Sequence, residues 1–411
     1  MHPHHNRVLV LAVMILAFSF NILDRQIVSI LAGSIKRDLG LTDGQLGLMG
    51  GLAFAIFFTG FGVPIAVLAD RWSRSWILTG ALTIWSGFTA LCGLATGFWS
   101  LFLCRMGVGL AESGGTAPAY SLISDYFPRH QRARAIAAYG FGIPIGSAAG
   151  ILLGGFMAHA YDWRTAFIVV GLAGIVLAPI VRLVVWDPPR ETLPATTPPL
   201  GAPIRSLLAK PSFWLISLGS AASAVSGYGV AFWLPSFFER SVGMTLLDRS
   251  VFLGAMNLVG GIMGIWLGGW LGDRLGRASP AAYLLVPAAC FMIALPVFVL
   301  AIQSTSLVVA FVLLMISTGL NLAWLGPVLT AVQHLVPASA RATGTACFLL
   351  IYNLLGIGLG TWLFGAISDA LMPRFGDESL RYAIYCGLSF YVISAALLGL
   401  AARRLRRDWV E

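Results

Sequence analysis

The sequence predicts an all-α membrane protein of twelve transmembrane helices arranged as two pseudo-symmetric halves of six. Three observations carry that expectation. Of the 411 residues, 58% are hydrophobic and only 10% charged, whereas soluble domains carry about 25% charge, so too few charges exist to coat a globule in water. Apolar runs of about 20 residues, the length that crosses a hydrocarbon core of about 30 Å, recur from end to end. Short polar motifs also repeat between the two halves. A β-barrel would need segments of about ten residues that alternate in polarity, and runs such as Leu284 to Ile302 do not alternate.

The spans follow in order. The first, 8–31, is apolar but contains Asp24 and Arg25 and has no small-residue cleavage site, so a removable signal peptide is not expected. The second, 44–69, stops at Asp70-Arg71, and the third, 76–96, starts just beyond Ser73-Arg74. The fourth, 98–125, carries Arg105 and Glu112. The fifth, 132–158, spaces Gly146, Gly150 and Gly154 four apart, a small-residue face suited to close helix packing. The sixth is 164–186. Residues 187–211 are rich in Pro and Thr and read as a cytoplasmic linker between halves 1–186 and 212–411. The second half continues with 212–238, 249–272, 280–302, 306–334, 340–370 and 381–402.

Charge gives the orientation. With the N-terminus inside, sixteen Lys and Arg fall on the inner side and seven, including Lys36, Arg37, Arg240 and Arg249, on the outer side. Both termini are therefore expected in the cytoplasm. The net charge of +9 is spread over short loops and lacks the clustered basic face that nucleic-acid binding needs. The five cysteines lie in apolar runs without CxxC spacing, so no metal site or disulfide framework is expected. HExxH, GxxxxGK[ST] and a Ser-His-Asp order are likewise missing, and neither an enzyme nor a nucleotide-driven pump is expected.

The repeat is specific. Asp70-Arg71-Trp-Ser73-Arg74 after span two matches Asp273-Arg274-Leu-Gly276-Arg277 after span eight, 203 residues on. Asp125-Tyr-Phe-Pro128 with Arg132 after span four matches His334-Leu-Val-Pro337 with Arg341, 209 residues on. Two matches at nearly one offset mark a duplicated six-helix unit. The loop resembles the G-x-x-x-D-R-x-G-R signature of the major facilitator superfamily, although Ala66 and Ser73 stand for glycines in the first copy. Asp24-Arg25, the stretch from Arg105 to Glu112, Ile143-Pro144-Ile-Gly146 and Arg341-Ala-Thr with Gly365 to Asp369 are together similar to the spinster family of lipid transporters. The resemblance implies a major facilitator fold working by alternating access. Asp70, Arg71, Arg74, Asp125, Arg132, Asp273, Arg274, Arg277 and Arg341 would form its conformational latch.

Charges inside spans are costly and mark functional positions. Asp24 lies roughly 24 Å from the inner end of its helix and Arg105 roughly 10 Å from the outer end of its own, so the depths coincide and an Asp24 to Arg105 ion pair is expected. Glu112, two turns below Arg105, would complete a ladder. Desolvation favours the protonated carboxyl and Arg opposes it, so Asp24, Arg105 and Glu112 are expected to couple transport to protons. Arg25, 100° round from Asp24, is expected to stand apart and meet an anionic head group. The second half offers Asn321, Tyr228, Trp233 and Phe237 as an aromatic and apolar wall. An amphipathic, lipid-like substrate of sphingolipid or lysolipid type fits such a site, with organic anions or lipophilic drugs as the alternative on the same fold and a non-transporting sensor as the alternative from another class. A monomer in contact with membrane lipids, without a cofactor and driven by a proton gradient, is expected, in a bacterial inner membrane.

Overall fold

A computed structural model describes residues 6–188, 201–337 and 340–410, with a few side chains inside those ranges, Asp70 among them, also outside the description. Residues 189–200 of the linker lie outside the described residues. Among those described, seventeen α-helices occur and no strand. In order they are α1 Arg7–Leu39, α2 Asp43–Gly50, α3 Leu52–Arg71, α4 Arg74–Cys92, α5 Phe98–Tyr126, α6 Arg129–Gly140, α7 Gly142–Ala160, α8 Trp163–Val184, α9 Gly201–Leu208, α10 Pro211–Arg240, α11 Leu246–Gly276, α12 Ala282–Gln303, α13 Leu307–Leu322, α14 Leu325–Gln333, α15 Arg341–Phe375, α16 Ser379–Leu388 and α17 Phe390–Asp408.

Helices form at every predicted span, and four spans are built from two pieces: α2 with α3, α6 with α7, α13 with α14, and α16 with α17. Two of the breaks have a local cause. Pro144 and Pro327 each sit at the third residue of the following helix, where a missing N–H is tolerated although the ring would clash with a helix continued from upstream. Between α2 and α3, Gly50 accommodates the Phe232 ring, whose Cε2 would lie 2.3 Å from an added Cβ. Helix ends are capped locally. Asn6 accepts from Val8 N at 3.1 Å, Thr42 and Gln45 form a reciprocal capping box, and Asp162 accepts from Thr165 N at 2.6 Å. Such caps satisfy first-turn donors that no intrahelical partner reaches.

By contacts the chain divides into one unit of residues 1–191 with 232–255 and a second of residues 192–231 with 256–411. In the first unit α1 packs along α7, and α4 packs on α5 and α8. The predicted glycine stripe makes the α1 contact possible, since a Cβ on Gly146 would stand 2.3 Å from the Ser19 carbonyl oxygen. In the second unit α12 packs on α13 and α17 and α15 on α16, around Tyr391 stacked between Phe291 and Phe298.

The burial pattern is that of a protein dissolved in lipid. Asp24, Arg105 and Glu112 are at most 2% exposed, while Trp99, Val176 and Val308 are 67–75% exposed. Large bare apolar side chains outside and charges inside invert the aqueous rule.

Candidate functional site

The first unit gathers four charges from two helices. Asp24 and Arg25 are neighbours on α1, and Arg105 and Glu112 are two turns apart on α5. Arg105 Nη1 lies 3.4 Å from Asp24 Oδ2, which is the pair expected from matching depths. Arg25, expected to stand apart, instead closes the ladder: its Nη2 and Nε lie 2.8 Å and 3.0 Å from Glu112 Oε2. The guanidinium reaches across because a long flexible stem tolerates a 100° offset at Cα. Asn21, one turn back on α1, accepts from Arg25 Nη2 at 3.1 Å.

Aromatic rings on α3 hold this cation in place. The Arg25 guanidinium lies 4.5 Å from the Phe54 centroid and 4.8 Å from that of Phe58, and Arg105 lies 5.7 Å from Phe54, all within cation–π range. Sequence reasoning missed Asn21, Phe54 and Phe58. The i, i+4 spacing of Asn21 and Arg25, and of Phe54 and Phe58, was the available signal. Asp24 Oδ1, Glu112 Oε1 and Arg105 Nε are buried with no hydrogen-bond partner among the described residues. Two carboxyl oxygens and one guanidinium nitrogen are thus left over in a site that holds two arginines and two acids.

The latch residues divide. Arg74, 4% exposed, lies 2.5 Å from Asp125 Oδ2 and 3.3 Å from Asp187 Oδ1, and donates to Ser121 Oγ at 2.8 Å. Asp187, read from sequence only as the start of the linker, caps α4: it accepts from Arg74 N at 2.9 Å, Ser75 N at 3.2 Å and the Ser73 and Ser75 hydroxyls. Burial pushes its carboxyl up, but the hydrogen bonds from Ser73, Ser75 and the α4 backbone outweigh that and hold it below the usual carboxylate range. Arg132 Nε donates to the Phe127 carbonyl at 3.0 Å. Arg71, Asp273 and Arg277 are exposed, Arg274 lies over Trp270 at 5.2 Å, and the Arg341 Nε is buried without a partner among the described residues. The Asp70 side chain lies outside the description.

A second ion-pair cluster ties the α1–α2 turn to the α10–α11 hairpin, all within the first unit. Asp43, fully buried, takes both guanidinium nitrogens of Arg240 at 2.6 Å and Lys36 Nζ at 2.7 Å. Glu239 lies 2.5 Å from both Arg37 and Arg249, and Arg249 is 2% exposed. The sequence reading treated these cations only as loop charges and missed the two acids between them.

The second-half residues also separate. In the second unit Asn321 accepts from the Tyr391 hydroxyl at 2.8 Å, and Tyr228 meets the Tyr352 ring edge-on at 6.2 Å. Trp233 and Phe237 group with the first unit and are at most 1% exposed.

The sequence profile of the Major Facilitator Superfamily matches residues 14–361. An "MFS-type efflux pump" of Mycolicibacterium smegmatis is 32% identical over 97% of this chain and 93% of its own. "Protein spinster homolog 1" of Bos taurus is 30% identical over 96% of this chain and 80% of its own. The crystal structure of a bacterial homologue of the human lysosomal transporter spinster, inward-facing and unoccupied, superposes with a TM-score of 0.89 at 31% identity, covering 100% of this chain and 99% of that one.

Proposed function

The chain belongs to the major facilitator superfamily as a transporter of the spinster type, and from that premise we propose that it is a proton-coupled secondary transporter of an amphipathic, lipid-like substrate. The crossed pairs Arg105–Asp24 and Arg25–Glu112, fully within the spans, carry this reading. With both acids ionised the four charges cancel. A proton on Glu112 releases Arg25 and leaves one positive charge in a low-dielectric site, where an anionic head group is strongly favoured. Loading of proton and head group are therefore linked. An empty and a fully loaded site are both compensated, and the half-loaded one is not, which favours interconversion of the two access states only at matched occupancy.

Asp24 keeps Arg105 in place and provides a second proton acceptor through Oδ1. The rings of Phe54 and Phe58 present an apolar face beside the cation, as an amphiphile requires. In the second unit Tyr228, Asn321 and Tyr391 are assigned to its hydrocarbon portion. Arg74 with Asp125 and Asp187 serves as the latch on the cytoplasmic side, in an inner membrane with both termini inside. The protein works as a monomer on the proton gradient alone, without a cofactor.

The similarity to an efflux pump over nearly the whole chain favours a second reading, export of organic anions or lipophilic drugs through the same site. Proteoliposomes decide between them. Lysolipids, sphingoid phosphates, organic anions and cationic drugs are each offered with and without an imposed pH gradient. The proposal expects gradient-driven movement of an anionic amphiphile that Glu112→Gln abolishes; movement of drugs alone supports the second reading, and flux indifferent to the gradient rules out proton coupling.

A further inference from the structure

A groove in the second unit lies far in sequence from the charged ladder. It is lined by Ala209, Pro211, Trp214, Leu215, Leu400 and Arg404 and encloses about 440 Å³. Helix packing creates it. Helices α10 and α17 approach closely at Gly219, where an added Cβ would lie 3.1 Å from Leu397 Cβ, and one to two turns further on the gap is left unfilled.

Its lining is graded. Trp214, Leu215 and Leu400 form an apolar wall, with Trp214 42% and Leu400 48% exposed. Arg404 follows one turn beyond Leu400, about 6 Å along the axis. The Trp214 indole N–H is already used, donating to the Leu208 carbonyl at 2.9 Å, so the ring offers its faces. Arg403 and Arg407 are exposed beside Arg404. The nearby acid, Asp408, is not part of the lining and accepts from Ser212 Oγ at 2.5 Å. A free inorganic anion would leave the apolar wall unused. A zwitterionic lipid would bring an ammonium group to a lining that has no carboxylate to receive it.

We propose that this groove holds one anionic phospholipid of the surrounding leaflet, its acyl chain along Trp214, Leu215 and Leu400 and its phosphodiester on Arg404. The guanidinium suits a phosphate geometrically, and basic pockets at the polar edge of a bilayer select anionic head groups.

Trp214 supplies the reporter. The full chain is reconstituted with phosphatidylglycerol or phosphatidylcholine carrying brominated acyl chains, at equal fractions, and tryptophan quenching is compared. Brominated phosphatidylglycerol is expected to quench more. That excess should vanish in Trp214→Phe, which removes the reporter, and weaken about fivefold in apparent affinity in Arg404→Ala, the effect of one basic residue at an anionic surface. Equal quenching by the two lipids overturns the proposal. An excess that survives Trp214→Phe also overturns it, because the anionic lipid is then gathered by the basic face as a whole, as does one displaced by inorganic phosphate.

Discussion

Replacing Asp24 by Asn strands Arg105, which is 1% exposed and has no other ion-pair partner among the described residues. Removing one member of a buried pair costs about 3–5 kcal/mol. Asp24→Asn is thus expected to lower the thermal midpoint in detergent markedly, and adding Arg105→Leu should restore part of it, since the pair is then removed together. A double variant less stable than the sum of the singles would contradict this account. Glu112→Gln differs, because Arg25 keeps Asn21, Phe54 and Phe58 and is itself partly exposed. It should leave the melting temperature nearly unchanged while abolishing accumulation driven by a pH gradient; substrate exchange without a gradient should persist. The Asp24 to Arg105 pair was legible in the sequence because depth along a helix is counted in residues. The Arg25 to Glu112 pair was not, because a helical wheel places Cα atoms and says nothing of where a long side chain ends.

Elements are fastened at their ends by single carboxylates. Asp187 closes the first turn of α4, so Asp187→Ala should cost about 1 kcal/mol, typical of a lost helix N-cap, and hydrogen exchange at Ser75 to Ile77 should quicken. Its carboxyl is held below the usual range in the folded protein. This capping therefore contributes fully above the unfolded value of about 3.9 and is lost as pH falls below it. Exchange in this turn should accelerate on acidification in the native chain and much less in Asp187→Ala. At the other ends, Asp43 and Glu239 join α1 and α2 to α10 and α11, and Ser29 donates to the Phe232 carbonyl at 2.7 Å beneath them. Asp43→Ala together with Glu239→Ala should loosen this junction. A cysteine at position 29, in a chain lacking the five native cysteines, should then react with maleimide at least tenfold faster from the side of residues 36–43. The spans that carry these devices were readable because lipid imposes apolar runs of fixed length. The devices were not, because Asp43 and Glu239 are far apart in sequence and Asp187 sits in a segment whose composition reads as linker.

At the scale of the molecule, the two units carry different chemistry. In the loops the sequence places Asp70 and Asp273 at equivalent positions, yet among the described residues Arg74 of the first copy pairs with Asp125 and Asp187 while Arg277 of the second is exposed. The spans diverge further: Arg105 and Glu112 are buried in the first unit, and the second offers Asn321 against Tyr391. Proton handling and recognition of the apolar part of the substrate should consequently separate by unit. Tyr391→Phe removes the hydrogen bond that orients Asn321, and so should raise KM without moving the pH at which transport is half-maximal. Asn321→Ala should do the same, since Asn321 is the acceptor of that bond. Glu112→Gln should instead flatten the pH profile. If the Tyr391 and Asn321 variants shift the pH midpoint as well, the units share the proton pathway, and the charged ladder of the first unit is not its whole extent.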